Sequence, residues 1–357
     1  MKTTNASRIL TAGLSRRAFV GASLASAATL VLAGCNSGNG SADGSTDASS
    51  DSKAASGEKT KITFCLDYTP NTNHTGIYVA QNKGFFADEG LEVEIVQPAD
   101  GTAEGAIGTG QAQLGVSYQD YLAAAYDAGN TGLTAVAAVI QHNTSGIMSR
   151  AEDGITHAAL MEDHVYTTWD MAVEQATIKQ IMTTDGGDFS KLKMVPFTVD
   201  DEVQGLKANM FDCVWVYEGW AVQNAAVQDY PVNYFSFKDM DDVFDFYTPV
   251  LAANNDFMKS NPDAVRAFLR AAKKGYEFAV EHPEDAAQIL CDEVPELDSA
   301  LVEASAKYLA DQYTADASSW GVIDGKRWAA YFQWLNDNDL VENKLDVNAG
   351  FDTSYLA

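Results

Sequence analysis

The segment between residues 66 and 76 brings several chemically versatile side chains close together. Asp67, Tyr68, Asn73 and His74 supply a carboxylate, a planar ring, an amide and an imidazole within eight residues. Such groups can stack on a flat polar ligand and form hydrogen bonds with its edges. Local structure explains the same residue types equally well, because Asn and Pro are common at helix caps and in turns. The spacing alone leaves both interpretations open.

The flanking sequence predicts the elements that hold this segment. Residues 62–66 alternate between apolar and polar types, which predicts a half-buried strand, and residues 77–83 predict a helix that Gly84 ends. The segment is therefore predicted to be a strand-to-helix loop. In an open α/β sheet such loops lie at the carboxyl ends of the strands, where helix N-termini present free N–H groups and ligands bind.

Polar and aromatic residues also follow the other predicted strands. Those strands cover residues 91–96, 114–116, 134–140, 213–216 and one ending at Tyr166. Trp215 lies inside a strand, so a core role and a binding role both remain open for it, whereas Trp320, Trp328 and Trp334 fall in predicted helices and are expected to pack. Thr102 either caps a helix or donates to a ligand. The candidate ligand contacts at these strand ends are Thr102, Tyr118, Gln119, Gln141, Trp169, Tyr217, Glu218 and Trp220.

The alternation of strands and helices predicts an α/β protein with two lobes, each a mostly parallel sheet flanked by helices. The pattern restarts near residue 145 and returns near residue 249. We therefore assign residues 61–145 to the first part of lobe 1, residues 146–248 to lobe 2, and residues 249–357 to the return to lobe 1 and the C-terminal helices. Two crossings between lobes form a hinge that can close on a ligand.

The N-terminal region has the pattern of an export signal. Residues 1–34 combine four positive charges with an apolar run that is too short to span a bilayer comfortably. Arg16 and Arg17 resemble a twin-arginine signal, and an ordinary secretory leader is the alternative. The sequence Leu-Ala-Gly-Cys at residues 32–35 resembles a bacterial lipobox, which predicts a diacylglycerol on Cys35. We expect residues 35–60 to form the lipidated Cys and a flexible tether that holds an exported protein at the outer face of the cell membrane.

Charge and cysteine content exclude some classes of function. Removal of the predicted leader, which has four positive charges and no negative charge, takes the formal net charge from −27 to −31. Nucleic acid is therefore an unfavourable partner, because its phosphates would be repelled. The cysteines after the tether, Cys65, Cys213 and Cys291, are far apart and suggest neither a disulfide framework nor a metal site.

Sequence motifs along most of the chain after residue 60 resemble those of thiamine-pyrimidine-precursor-binding proteins. The motifs occupy residues 67–76, 78–86, 89–94, 185–189, 217–219, 275–279, 282–284 and 294–298. Those proteins belong to the thiamine pyrimidine synthase-like group of ABC-transporter substrate-binding proteins, within the superfamily that includes aliphatic sulfonate-binding proteins. The resemblance implies a type II periplasmic binding protein fold, no cofactor, and partnership with permease and ATPase subunits. It also implies a ligand of the hydroxymethylpyrimidine or formylaminopyrimidine type, with riboflavin or another small heterocycle as the alternative.

The same group includes enzymes, so catalysis is the rival function. The synthases carry a Lys that holds pyridoxal phosphate and, four residues later, a His that is consumed as substrate. This chain has Ser117 and Tyr121 at the matching positions, and residues 244–251 lack the cysteine-rich iron-binding run of those enzymes. The resemblance therefore implies a binding protein rather than a synthase. A purely adhesive surface lipoprotein would leave the polar and aromatic residues at the strand ends unexplained.

Overall fold

The computed structural model describes residues 59–98, 102–197 and 201–356. The predicted signal peptide, Cys35 and nearly all of the predicted tether lie outside these residues, so their assignments stay predictions. No helix in the described part of the chain is long and apolar enough to cross a membrane.

In the described ranges the chain forms ten strands and thirteen α-helices, and the last five helices follow the final strand. The strands are β1 (Thr60–Cys65), β2 (Leu91–Val96), β3 (Leu114–Ser117), β4 (Leu133–Ala138), β5 (Ser145–Arg150), β6 (Val165–Thr168), β7 (Lys193–Pro196), β8 (Cys213–Tyr217), β9 (Val232–Ser236) and β10 (Val250–Asn254). The helices are α1 (Thr75–Asn82), α2 (Phe85–Asp88), α3 (Ala103–Gly108), α4 (Gln119–Asp127), α5 (Ala172–Thr184), α6 (Glu202–Lys207), α7 (Gln223–Val227), α8 (Phe237–Met240), α9 (Asn255–Ser260), α10 (Pro262–Glu281), α11 (Pro283–Glu293), α12 (Ser299–Ala310) and α13 (Gly325–Asp337).

The strands form two five-stranded sheets. The first has the order β2-β1-β3-β10-β4 and the second the order β7-β6-β8-β5-β9. Four strands of each sheet run in one direction, while β10 is antiparallel to β3 and β4, and β5 is antiparallel to β8 and β9. Each antiparallel strand is the first after a crossing from the other sheet, which the alternation of strands and helices in the sequence does not reveal.

The first sheet is covered by helices on both faces, because side chains alternate along its strands. Phe64 points to the face that packs on α1 and α10, and it stacks on Phe268 with ring centroids 5.4 Å apart. Its neighbour Cys65 points to the opposite face, where residues of α3, α4 and α13 pack. The central strands β3 and β10 are buried along their whole length. The loops at the strand ends therefore extend from a well-packed framework.

Two glycines allow α1 and α10 to approach each other closely. A Cβ atom added at Gly275 would lie 1.9 Å from the carbonyl oxygen of Gly76, and one added at Gly76 would lie 2.3 Å from the Tyr276 ring. Since α1 directly follows the 66–76 loop, this contact holds the loop against α10.

The C-terminal helices pack on both lobes. Leu309 and Tyr308 of α12 lie within 3.3 Å of the position that a Cβ of Gly219, in the second lobe, would take. Trp334 of α13 donates to Gln180 of α5 at 2.6 Å. As expected, Trp320, Trp328 and Trp334 are buried packing residues, but Trp320 lies between α12 and α13 and not in a helix. Helices α12 and α13 therefore contact the second lobe as well as the first.

Candidate functional site

Asp67, His74 and Tyr118 form a hydrogen-bonded chain at the end of β1. His74 Nε2 lies 2.6 Å from one carboxylate oxygen of Asp67, and the Tyr118 hydroxyl donates to the other. The backbone N–H of Asn71 donates to His74 Nδ1 at 3.1 Å, so the proton of the neutral imidazole is on Nε2 and points at Asp67. The carboxylate is thus occupied on both oxygens by protein groups.

Burial and hydrogen bonding act in opposite directions on Asp67. Burial alone would raise its pKa, but the bonds from His74 and Tyr118 outweigh this and lower the pKa below its usual value. His74 is fully buried and both of its ring nitrogens are engaged, so it has no donor left for a ligand. Asp67 and His74, both predicted to contact the ligand, instead hold the Tyr118 side chain in position.

Tyr118 and Tyr217 bring the two lobes together through their rings. Tyr118 follows β3 of the first sheet, and Tyr217 ends β8 of the second sheet. Their ring centroids are 6.4 Å apart and the ring planes differ by 22°. Tyr121 packs edge-on against Tyr118 at 5.1 Å. Tyr217 and Tyr121 remain 38% and 45% exposed, so this aromatic group is open to solvent at the mouth of the cleft.

Two tryptophans form a second aromatic group in the second lobe. Trp169, which follows β6, is half-exposed and its ring centroid lies 5.7 Å from that of Trp215. The buried carboxylate of Glu174 accepts from the Trp169 backbone N–H at 3.0 Å, which holds the turn. Trp215 packs edge-on against Phe237 at 4.3 Å and is nearly buried. Its indole N–H has no hydrogen-bond partner in the described chain. Of the two roles considered for Trp215, this packing fits the core role.

Glu218, the next residue after Tyr217, is bonded to a C-terminal helix. Its carboxylate accepts a hydrogen bond of 2.7 Å from the Tyr308 hydroxyl of α12. Glu218 is the first residue of a short helical turn, Glu218–Val222, that follows β8 and has Tyr217 as its N-cap. One of its carboxylate oxygens is therefore already bonded to a C-terminal helix. Trp220, two residues later, is half-buried.

Four other predicted contacts have mainly structural surroundings. Gln119 is fully buried and bridges Trp328 O and Tyr247 N at 2.8 and 3.0 Å. Gln141 is buried and donates to Val322 O. The Thr102 side chain accepts from Gly105 N and caps α3, which is the first of the two roles considered for it. The backbone of Asn73 accepts from Tyr276, and Asn71 rather than Asn73 caps the turn.

Tyr68 is the most exposed large hydrophobic residue in the described chain, with 68% of its surface accessible. It lies beside Asp67 on the first lobe, so it remains available to a ligand. Contact with a ligand stays a prediction for all twelve residues.

Three residues that the sequence analysis did not select lie around Tyr217. They are Asp120 of α4, Thr248 before β10 and Tyr331 of α13. Asp120 directly follows the Tyr118-Gln119 pair, so its position at a helix N-terminus was a usable signal. Nothing in the sequence indicates that the distant Tyr331 reaches the same place.

The site has no catalytic arrangement that we recognise among the described residues. Ser117 is buried and its hydroxyl donates to Glu104 at 2.6 Å. Burial raises the pKa of Cys65 and Cys213, which disfavours reactive thiolates. In the described ranges no cluster of three or more His, Cys, Asp or Glu residues has the geometry to hold a metal ion.

Comparison with known proteins identifies the group to which this chain is related. A protein-family model described as NMT1/THI5 like matches residues 71–286. The formylaminopyrimidine-binding protein of Halalkalibacterium halodurans is 27% identical over 80% of this chain and 88% of its own length. The 4-amino-5-hydroxymethyl-2-methylpyrimidine phosphate synthase THI11 of Saccharomyces cerevisiae is 25% identical over 68% of this chain and 73% of its own.

Solved structures confirm the predicted fold class. The periplasmic aliphatic sulphonate binding protein SsuA of Escherichia coli superposes with a TM-score of 0.65, covering 83% of this chain and 99% of SsuA at 14% identity. At this identity the likeness concerns the fold, a two-lobed periplasmic binding protein fold. Because the family model covers more than half of the sequence, including the 71–76 part of the loop and the Tyr217 region, the chain is a member of the NMT1/THI5-like family.

Proposed function

We propose that this protein is the solute-binding component of an ABC importer and captures a thiamine pyrimidine precursor. The observation that carries the proposal is the pair of nearly parallel tyrosine rings, Tyr118 and Tyr217, contributed by different lobes. A planar heteroaromatic ring is the ligand that two such rings recognise best, since it has a π-face and little apolar bulk. Hydroxymethyl- and formylaminomethyl-pyrimidines have this shape, and riboflavin or another small heterocycle is the second candidate.

The spacing of the tyrosines suggests how the ring enters. A ring in van der Waals contact with both tyrosines needs them about 7 Å apart, or twice a contact distance of roughly 3.5 Å. The ring centroids of Tyr118 and Tyr217 are 6.4 Å apart. A small separation of the lobes would admit the ring, and the two crossings between the sheets provide the hinge for it. The hydrogen bonds from His74 to Asp67 and from Tyr118 to Asp67 would keep the Tyr118 ring in place during this movement.

The relatives support binding as the function. One curated relative is named as a formylaminopyrimidine-binding protein, and others are named as synthases of a closely related pyrimidine phosphate. The residues at the two catalytic positions of the synthases favour a binding protein. Here Ser117 is bonded to Glu104, and Tyr121 is part of the aromatic group. Neither side chain can form an aldimine with pyridoxal phosphate.

We further infer that the protein is exported and that Cys35 carries a lipid anchor. An assay of lipid attachment to Cys35 would test this inference.

A spectroscopic assay separates the binding protein from the enzyme. Purified protein mixed with pyridoxal phosphate and ferrous iron should show no aldimine absorbance and form no pyrimidine, because it lacks the matching Lys and His. A synthase related to those of the family, assayed in parallel, serves as the positive control. Pyrimidine formation by this chain would overturn the assignment as a binding protein.

A further inference from the structure

The carboxyl group of Asp120 accepts hydrogen bonds from backbone N–H groups at the start of α4. It lies in the first turn of α4 and lines a cavity of about 360 Å³. The walls of this cavity come from α4, from Leu335 of α13, from Val173 of α5 in the second lobe, and from Leu340, Val341 and Glu342. Asp67 and Glu218, by contrast, already accept hydrogen bonds from Tyr118 and Tyr308. No side chain in the described ranges donates to the Asp120 carboxyl.

Two buried hydroxyl groups lie near Asp120. The Tyr331 hydroxyl belongs to a residue that is 1% exposed, and it has no hydrogen-bond partner in the described structure. The hydroxyl of Thr248, a residue that is also 1% exposed, lies beside that of Tyr217. A buried polar group without a partner is unfavourable. The Tyr331 hydroxyl, together with a carboxyl that no side chain bonds, indicates a polar surface that a ligand completes.

We propose that Asp120, with Thr248 and Tyr331, recognises the edge of an aminopyrimidine formed by its amino group and the adjacent ring nitrogen. One carboxyl oxygen accepts an amino N–H, and the other shares a single proton with the ring nitrogen. The two hydroxyls remain for the substituents of the ring. This inference rests on the proposed function and deepens it, because it selects ligands in which an amino group stands next to a ring nitrogen.

The surroundings of Asp120 favour the shared proton. Burial raises the pKa of its carboxyl to about 7, backbone N–H groups at the start of α4 oppose the rise, and the charge of Glu104 adds to it. Among the described residues, the titratable groups that line this cavity or adjoin the neighbouring tyrosines are acids or phenols, and these do not stabilise the negative charge. These groups are Glu104, Tyr121, Asp127, Tyr217, Tyr331 and Glu342.

The sign of the pH effect follows from this proton. Below pH 7 the carboxyl of the free protein already carries the proton that the complex needs. Above pH 7 the free carboxyl is ionised, and binding must take up one proton from solution. The Kd for 4-amino-5-hydroxymethyl-2-methylpyrimidine should therefore rise about tenfold per pH unit above pH 7.

Two substitutions at one position test the proposal by calorimetric titration with that pyrimidine between pH 6 and pH 9. Asp120→Ala should bind roughly 5- to 150-fold more weakly at pH 6.5, because the ring edge loses its partner. Asp120→Asn supplies a donor and an acceptor without a titrating proton, so it should restore most of the affinity and abolish the pH dependence. Glu296→Gln, which removes an exposed carboxylate outside the cavity, is the matched control and should behave like wild type.

The outcomes separate this inference from the function on which it rests. Wild-type affinity in Asp120→Ala, or an unchanged pH slope in Asp120→Asn, would overturn the role of Asp120 while leaving the pyrimidine-binding function intact. Failure of the wild-type protein to bind the pyrimidine at any pH would overturn both. In a double-mutant cycle, 5-hydroxymethyl-2-methylpyrimidine lacks the amino group but keeps the ring nitrogen, so Asp120→Ala should lose clearly less affinity for it than for the aminopyrimidine. An equal loss of affinity for the two ligands would contradict recognition of the amino group.

Discussion

Tyr217→Ala is expected to weaken binding of 4-amino-5-hydroxymethyl-2-methylpyrimidine by roughly 5- to 150-fold, which corresponds to about 1–3 kcal/mol of lost stacking. Tyr217 is the ring that the second lobe contributes to the aromatic pair, so its loss leaves the ligand stacked on Tyr118 alone. The side chain is 38% exposed, and its truncation should change the free energy of unfolding little. Calorimetric titration and thermal unfolding of the same sample measure the two effects.

Tyr217→Phe is the matched control for this experiment. It keeps the ring and removes only the hydroxyl, so its affinity should stay much closer to that of wild type than the affinity of Tyr217→Ala. Equal loss of affinity in both variants would show that the hydroxyl matters and the stacking does not. Wild-type affinity in Tyr217→Ala would mean that the ligand does not lie between the two tyrosines.

Trp328→Ala is expected to lower the stability of the protein by about 3–5 kcal/mol, with a fall in Tm of roughly 6–15 °C. Trp328 is fully buried, and its indole N–H donates to Ala349 O at 2.9 Å. Its ring packs against Phe332 and Phe351 with centroids 5.4 and 5.3 Å away. Removing the side chain leaves a large cavity behind α13. Denaturant unfolding or differential scanning calorimetry measures the loss.

Ligand affinity distinguishes a packing residue from a binding residue at this position. Trp328→Ala protein that remains folded at low temperature should bind the pyrimidine with an affinity close to that of wild type. Leu160→Ala, a truncation of a 43% exposed side chain, is the stability control and should shift the free energy of unfolding by no more than about 0.5 kcal/mol. A loss of affinity in Trp328→Ala without a loss of stability would contradict the packing role.

Local sequence patterns predicted most of the framework. Strand β2 has the predicted bounds, and helix α1 begins two residues before its predicted start because the turn at Thr72–His74 leads directly into it. Apolar periodicity and capping residues act over a few positions, so they can be seen in the sequence. The antiparallel insertion of β5 and β10 depends on pairing between distant segments, which no local pattern contains.

The same distinction applies to the site. The 66–76 loop and the residues at the ends of β3 and β8 could be placed near one another from the sequence. Whether a polar side chain is free for a ligand depends on its partners from distant segments. Tyr308 is hydrogen-bonded to the carboxylate of Glu218, and the backbone groups of Trp328 and Tyr247 are hydrogen-bonded to the side chain of Gln119. Asp120 lacks such a partner, and only the three-dimensional arrangement distinguishes it from the other acids.

Calorimetric titration of the protein from residue 36 onward with 4-amino-5-hydroxymethyl-2-methylpyrimidine and its formylaminomethyl analogue, with riboflavin in parallel, tests the central claim most directly. We expect saturable one-to-one binding of at least one pyrimidine with a Kd in the micromolar range or below, corresponding to about −8 kcal/mol or more favourable. We expect much weaker binding of riboflavin. Tight binding of riboflavin with no heat from either pyrimidine would contradict the proposed ligand, and the absence of binding by all three would contradict the proposed site.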